Sequence, residues 1–235
     1  MRQGKNYAAA RMRIRGAENA EDVIEVVHSL GKNQHAEPVL AGRAKEMNAD
    51  IVELFTEREP CANSCGPLLT TDLKLRSRYE IADEFESLIP RDIRQILCES
   101  GLPLLPGVGA FSKLENLEFT KDGTFIAFTD MAYTDRLVVD TSLGVVMRTH
   151  KIDIPMTFVN SDLKLYEASF LKFAEGLPYD DGPDPDIEPN PVEVAAEDLR
   201  RQLAEIDPPA IRENTFWDEI CWDIAISNWT SDDLR

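Results

Sequence analysis

The stretch His35-Ala36-Glu37-Pro38-Val39-Leu40 is followed, 23 positions after Glu37, by Pro60-Cys61-Ala62-Asn63-Ser64-Cys65, and this pairing decides how the first third of the chain reads. An imidazole and two thiols are the donor set that zinc favours in a tetrahedral site. Three protein ligands leave a fourth position for water, whose pKa the metal brings near neutrality. His35, Cys61 and Cys65 can supply the three ligands. Glu37, two residues from His35, can then move protons without binding metal. The two cysteines are separated by three residues, and on a helix positions i+3 and i+4 lie on nearly the same face, so Cys65 can still reach the ion.

Working outward, Tyr7 to Arg15 ends in the alternation Met12, Ile14 against Arg11, Arg13, Arg15, which predicts a strand with one polar face. Val23 to Val27 is short and β-branched, a second strand. Val39, Leu40, Ala44 and Met47 follow helical spacing from His35 onward. Ile51 to Phe55 is a third strand, and Cys61 to Leu75 offers a second helix through Leu68, Leu69, Leu73 and Leu75. The order β-β-α-β-α fits an α/β sandwich. Both halves of the metal-type motif then fall at helix N-termini, where free N–H groups and the helix dipole stabilise carboxylate and thiolate.

That arrangement follows the zinc deaminase pattern H-x-E…P-C-x-x-C with a widened cysteine spacing. His35-Ala36-Glu37-Pro38-Val39-Leu40, Phe55-Thr56-Glu57-Arg58-Glu59-Pro60-Cys61, Cys65 and Leu68-Leu69 resemble the bacterial toxin-type deaminases of the cytidine deaminase-like superfamily over about residues 5–76. The resemblance implies a short cytidine deaminase-like unit, a Zn2+ cofactor and a nucleic acid or nucleotide base as substrate, with cytosine the favoured base.

Composition shifts at Arg76 to Tyr79, giving an expected division into residues 1–77 and 78–235. Glu80 to Ser100 reads as helical with a break at Pro90 and a cap at Gly101. Leu114–Phe119, Thr124–Thr129, Arg136–Asp140 and Val145–Thr149 read as strands, with turns at Lys121-Asp122-Gly123 and Thr141-Ser142-Leu143-Gly144. Residues 159–177 return to helical spacing through Leu163, Tyr166, Phe170 and Phe173. The stretch Pro178 to Pro191 is rich in proline and acid, which predicts an extended loop. An amphipathic helix follows through Val192, Ala195, Ala196, Leu199, Leu203 and Ile206. Trp217, Trp222 and Trp229 are expected in the core rather than at a surface. Cys98 and Cys221 sit in apolar helical patterns and read as buried small hydrophobes.

The formal net charge is −18, and none of it lies in residues 1–77, which hold 11 basic and 11 acidic side chains. The rest of the chain holds 14 basic and 32 acidic residues. Such a field repels nucleic acid and favours a basic protein partner. No window approaches the roughly 18 continuous apolar residues of a membrane span. No apolar h-region follows the basic N-terminal positions, so a cytoplasmic protein with no membrane contact is expected.

Residues 79–235 resemble the SUKH immunity proteins, closest to the group called SUKH-4. The matching stretches are Leu88 to Ile93 with Gly101-Leu102-Pro103, Val138 to Gly144, Phe158 to Leu163, Leu199 to Pro208, and Phe216-Trp217. This resemblance implies an α+β domain that binds and neutralises a cognate bacterial toxin, a nuclease or a deaminase. The two resemblances together imply a deaminase-like unit fused to an acidic immunity domain. The alternative is an immunity protein whose deaminase-like segment is an inactive remnant.

Overall fold

The computed structural model describes residues 7–16, 22–29, 35–56, 76–81, 89–103, 105, 111–120, 124–131, 135–150, 156–179 and 190–229. The helix expected over Cys61–Leu75, the Lys121–Gly123 turn and most of the Pro178–Pro191 loop lie outside them. The chain forms two compact units, Met1–Leu75 with Leu105–Gly107, and Arg76–Leu104 with Val108–Arg235.

In the first unit, β1 (Tyr7–Ile14), β2 (Val23–His28) and β3 (Ala49–Thr56) form a sheet of order β2-β1-β3, with α1 (Ala36–Glu46) between β2 and β3 in sequence. Both outer strands run antiparallel to β1, so they run parallel to each other. The alternation in β1 places Ala8, Ala10 and Met12 in a core with Ala36, Leu40 and Ala44 of α1. Four alanines at this seam let helix and sheet approach closely, while Leu40 and Met12 fill the remaining space. Burying each of those two side chains contributes about 1.5–3 kcal/mol.

The opposite parity of β1 carries the arginines. Arg11 and Arg13 share the carboxylate of Asp22 at 2.8 and 2.9 Å, and Arg15 reaches Asp50 at 2.5 Å. Arg13 holds the Asp22 carboxyl below the usual carboxylate range through its hydrogen bond. Helix α1 gives way to β3 through Met47 and Asn48 alone. Asn48 takes φ 49, and its carbonyl accepts from the Arg15 amide at 3.0 Å.

The second unit holds a five-stranded antiparallel meander of order β10-β9-β8-β7-β6, built from β6 (Ser112–Phe119), β7 (Phe125–Asp130), β8 (Asp135–Asp140), β9 (Val146–His150) and β10 (Thr157–Asn160). Before it, Arg76–Ser77 (β4) pairs with Leu102–Pro103 (β5). Helix α2 (Arg91–Arg94) runs on into a π-helix at Gln95–Ser100. Its wider turn shows in the bond from the Gly101 amide to the Ile96 carbonyl at 2.7 Å. Gly101 ends it at φ 77, a conformation open to glycine without a Cβ penalty.

Helix α3 (Leu163–Gly176) begins at Asp162, whose carboxylate accepts from the Lys164 and Leu165 amides at 2.8 Å. Helix α4 (Pro191–Ile206) begins at Asn190 with Pro191 as its first residue, a position where the missing N–H costs nothing. A 3-10 turn (Pro208–Ile211) leads to α5 (Phe216–Ala225). The helices meet over an aromatic core. Phe128 packs edge-on against Tyr166, Phe111 against Phe170 and Phe173 against Trp229, while Phe173 and Trp217 meet at a tilt.

Several expectations need correction: Glu80 and Ile81 are not helical, Arg91 being the first residue of the described helix, and residues 159–160 belong to the strand Thr157–Asn160 rather than to a helix. Trp217 and Trp229 are buried, but Trp222 is 60% exposed. Along α5 the buried stripe is Phe216, Trp217, Ile220, Cys221 and Ile224. Trp222 lies five residues from Trp217, about 140° around the helix at 3.6 residues per turn, and so faces away. Cys221 is buried as expected, and burial pushes its thiol up to about 12, whereas Cys98 is only half-buried.

Candidate functional site

The first unit brings one set of chain ends together. The turn at Met47–Asn48 makes α1 antiparallel to β3, so the N-terminus of α1 lies at the end of the unit where β3 finishes with Thr56. β2 finishes with His28 at that same end, because Tyr7 and Ala8 of β1 pair with His28 and with Val27 and Thr56. The N-terminus of α1 and the last residues of β2 and β3 thus share one rim of the unit.

His35 and Glu37 occupy it. His35 is the N-cap residue of α1 and is half-buried. Glu37 lies in the first turn and is only 8% exposed, between the core residues Ala36 and Leu40. A nearly buried carboxylate is unusual for glutamate, and the helix N-terminus compensates part of its lost hydration. Cys61 and Cys65 lie outside the described residues. Cys61 is five positions beyond Thr56, a span of at most about 18 Å of extended chain. Among the described residues no three His, Cys, Asp or Glu side chains gather as a metal-binding group.

One imidazole and two thiols are donor types that zinc favours, and of the three only His35 lies among the described residues. The imidazole and the carboxylate are held on one helix start, and the chain that carries both sulfurs leaves the sheet at the same end.

The second unit is organised around a buried polar hub. The Asp207 carboxylate accepts from the Ser161 amide at 2.7 Å, the Ser161 hydroxyl at 2.8 Å and the Asn160 side-chain amide at 3.0 Å. The Asn160 amide also donates to the Ser169 hydroxyl at 3.1 Å. These bonds tie the end of β10, the middle of α3 and the end of α4 to one another, and the Trp217 indole N–H, donating to the Asn160 side-chain oxygen at 2.8 Å, adds the start of α5. Nothing in this hub resembles a reaction centre, since its donors and acceptors are used up on each other. Sequence reading found the segments but not the hub, because a buried Asp or Asn looks like a surface residue until its partners are known.

The outward faces of α4 and α5 are acidic. Residues 190–229 hold nine carboxylates and three arginines. Arg200 pairs with Asp218 and, at 3.8 Å, with Glu197, while Arg201 pairs with Asp198 at 2.8 Å. Glu219 reaches Arg148 of β9 at 2.6 Å. Asp223 has its carboxyl raised by burial first, with Glu219 nearby adding to the effect. No helix among the described residues is long and apolar enough to cross a membrane.

Comparison with known families finds two models in succession along the chain. The family model of a Xanthomonas-like deaminase matches residues 3–87, and that of the SUKH-4 immunity protein matches residues 84–223. No curated protein and no solved structure matches the chain. A mixed α+β chain thus carries a deaminase-like region followed by an immunity-type domain. With more than half of its length covered by the second match, the chain belongs to the SUKH-4 immunity protein family.

Proposed function

We propose that the chain is a toxin–immunity fusion of a bacterial cytoplasm. In this reading residues 78–235 bind and neutralise a cognate toxin, a nuclease or a deaminase. Residues 1–77 form a zinc-dependent hydrolytic deaminase unit acting on a nucleobase, cytosine first. The observation that carries the enzymatic half is the pairing of His35 at the cap of α1 with Glu37 buried one position into the helix, at the rim where β3 ends. The immunity half is carried by the SUKH-4 match together with an acid excess confined to the residues after 77.

His35, Cys61 and Cys65 would hold the ion. When bound, zinc supplies Lewis acidity that makes hydroxide available near neutral pH. Glu37 takes the proton released from the attacking water and returns protons to the ring nitrogen and the departing ammonia. Its position in the first turn of α1 keeps the carboxylate oriented, and the surrounding core residues Ala36 and Leu40 exclude bulk water from its stem.

Elemental analysis of the full chain tests the metal claim. About one zinc per chain is expected, with loss of metal in His35→Ala and in Cys61→Ala. Metal-free wild-type protein purified without chelator would end it and leave the second reading, in which the N-terminal segment is an inactive remnant. Co-expression with the cognate toxin tests the immunity claim: cells expressing the full chain survive.

A further inference from the structure

We infer that the outward face of α5, centred on Trp222 and Ile226 and rimmed by Glu197, Glu219 and Asp223, is the docking surface for a cationic protein partner. The inference rests on the neutralisation reading above and names the surface that performs it.

Glu219, Trp222, Asp223 and Ile226 recur at three- and four-residue spacing, so they share one face. Trp222 is 60% exposed and Ile226 45% exposed, side by side one turn apart. Leaving these groups in water forgoes the burial that every other aromatic side chain of α5 obtains. Neither supports the core, which Trp217, Ile220, Cys221 and Ile224 complete from the other side.

Arg200 clasps Asp218, tying α4 to α5 side by side. Glu197 lies 3.8 Å from the Arg200 guanidinium on α4, and Arg200 meets Asp218, which stands one turn before Trp222 on α5. The Glu197 side chain is free of burial on its outer side, at 75% exposure. An exposed indole therefore stands among carboxylates, of which Glu219 is held by Arg148 and Glu197 lies 3.8 Å from Arg200.

The charge selects the occupant. Over residues 190–229 the excess is six negative charges, which disfavours nucleic acid and anionic lipid and attracts a basic polypeptide. An arginine or lysine of that polypeptide can lie over the indole face, where cation–π attraction adds to the surrounding carboxylates. Tryptophan is among the residues whose truncation most weakens protein interfaces. Rim carboxylates act mainly on the speed of encounter. A toxin that itself grips nucleic acid through basic side chains presents the matching surface.

The test is surface plasmon resonance of the full chain against a catalytically disabled form of a toxin from which it protects cells, read for affinity and association rate at low and high salt. Circular dichroism checks that each variant keeps its fold. Trp222→Ala is expected to weaken binding more than tenfold. Glu197→Lys is expected to slow association severalfold, with the wild-type rate falling as salt rises. If the wild type binds and protects while both variants bind within twofold of it, this surface is the wrong one and neutralisation stands. Salt-independent association would likewise overturn the cationic partner. If the wild type does not bind, the neutralisation reading itself fails and this inference falls with it.

Discussion

The indole N–H of Trp217 donates to the Asn160 side-chain oxygen at 2.8 Å, joining residues 57 positions apart in a fully buried contact. Through Asn160 that bond reaches Asp207, so one indole orients the amide that also serves Ser169 and the carboxylate. Trp217→Phe keeps most of the apolar volume and removes the donor. An orphaned buried acceptor costs about 1–3 kcal/mol. Urea unfolding should show a loss of that size, and Asp207→Ala, which strands several donors, a larger one.

Asp140 closes the β8–β9 hairpin. Its carboxylate accepts from the Ser142 hydroxyl at 2.7 Å and from the Ser142 and Leu143 amides at 2.8 and 3.0 Å. The Ser142 hydroxyl is the largest cause of its lowered pKa, working with the two amides against partial burial. A depressed folded value means that stability is present above the unfolded carboxylate range and disappears as pH falls through the folded value. Unfolding measured from pH 6 downward should therefore show a shallower acid limb in Asp140→Ala than in the wild type. An unchanged limb would remove Asp140 from the account.

Cys221 is buried, and its thiol is pushed up to about 12, so almost no thiolate exists at pH 8. Cys98 is half-buried, and burial raises it as well, with Arg94 acting in the other direction. Alkylation of the native chain followed by peptide mapping should modify Cys98 well before Cys221, and urea should abolish the difference. Equal native rates would contradict the packing of α5.

Glu37→Gln keeps the shape and hydrogen-bonding reach of the side chain but cannot carry the proton. The proposed chemistry predicts full zinc content with loss of ammonia release from a cytosine-containing oligonucleotide by about a hundredfold or more. Loss of both metal and activity would instead make Glu37 a ligand or a folding residue.

Asn48 sits at φ 49 in the turn between α1 and β3. Asparagine and glycine tolerate that region, and a β-branched residue does not. Asn48→Gly should be close to neutral, while Asn48→Val should lower stability by about 1–2 kcal/mol in thermal unfolding.

Much of this architecture could be read directly from the residues. The alternation of Met12 and Ile14 with three arginines located β1, and Val39, Leu40, Ala44 and Met47 located α1 to within a residue or two. Four strands of the meander followed from β-branched runs separated by turn residues such as Thr141 to Gly144, whereas the four-residue strand Thr157–Asn160 was absorbed into the helical run that follows it. The π-helix at Gln95–Ser100 could not be read, since one extra residue in a turn leaves an apolar pattern that still passes for α. Trp222 was misjudged because three tryptophans were weighed together, although its five-residue offset from Trp217 already placed it off the apolar stripe. Of the candidate zinc site, His35 and Glu37 fall together because they share one helix start. No local pattern fixes where distant sulfurs point, since that depends on contacts made after Thr56.

The two-residue connection at Met47 and Asn48 gives the first unit opposite poles. At one pole the Arg15 amide, the Asn48 carbonyl and the Asp50 carboxylate clasp strand to strand and hold the scaffold shut. At the other stand His35 and Glu37. A change at the first pole acts on the scaffold alone, whereas a change at the second acts on the chemistry and on the stability that a bound metal lends. The proton-handling end can thus be altered by substitution without touching the clasp that closes the sheet.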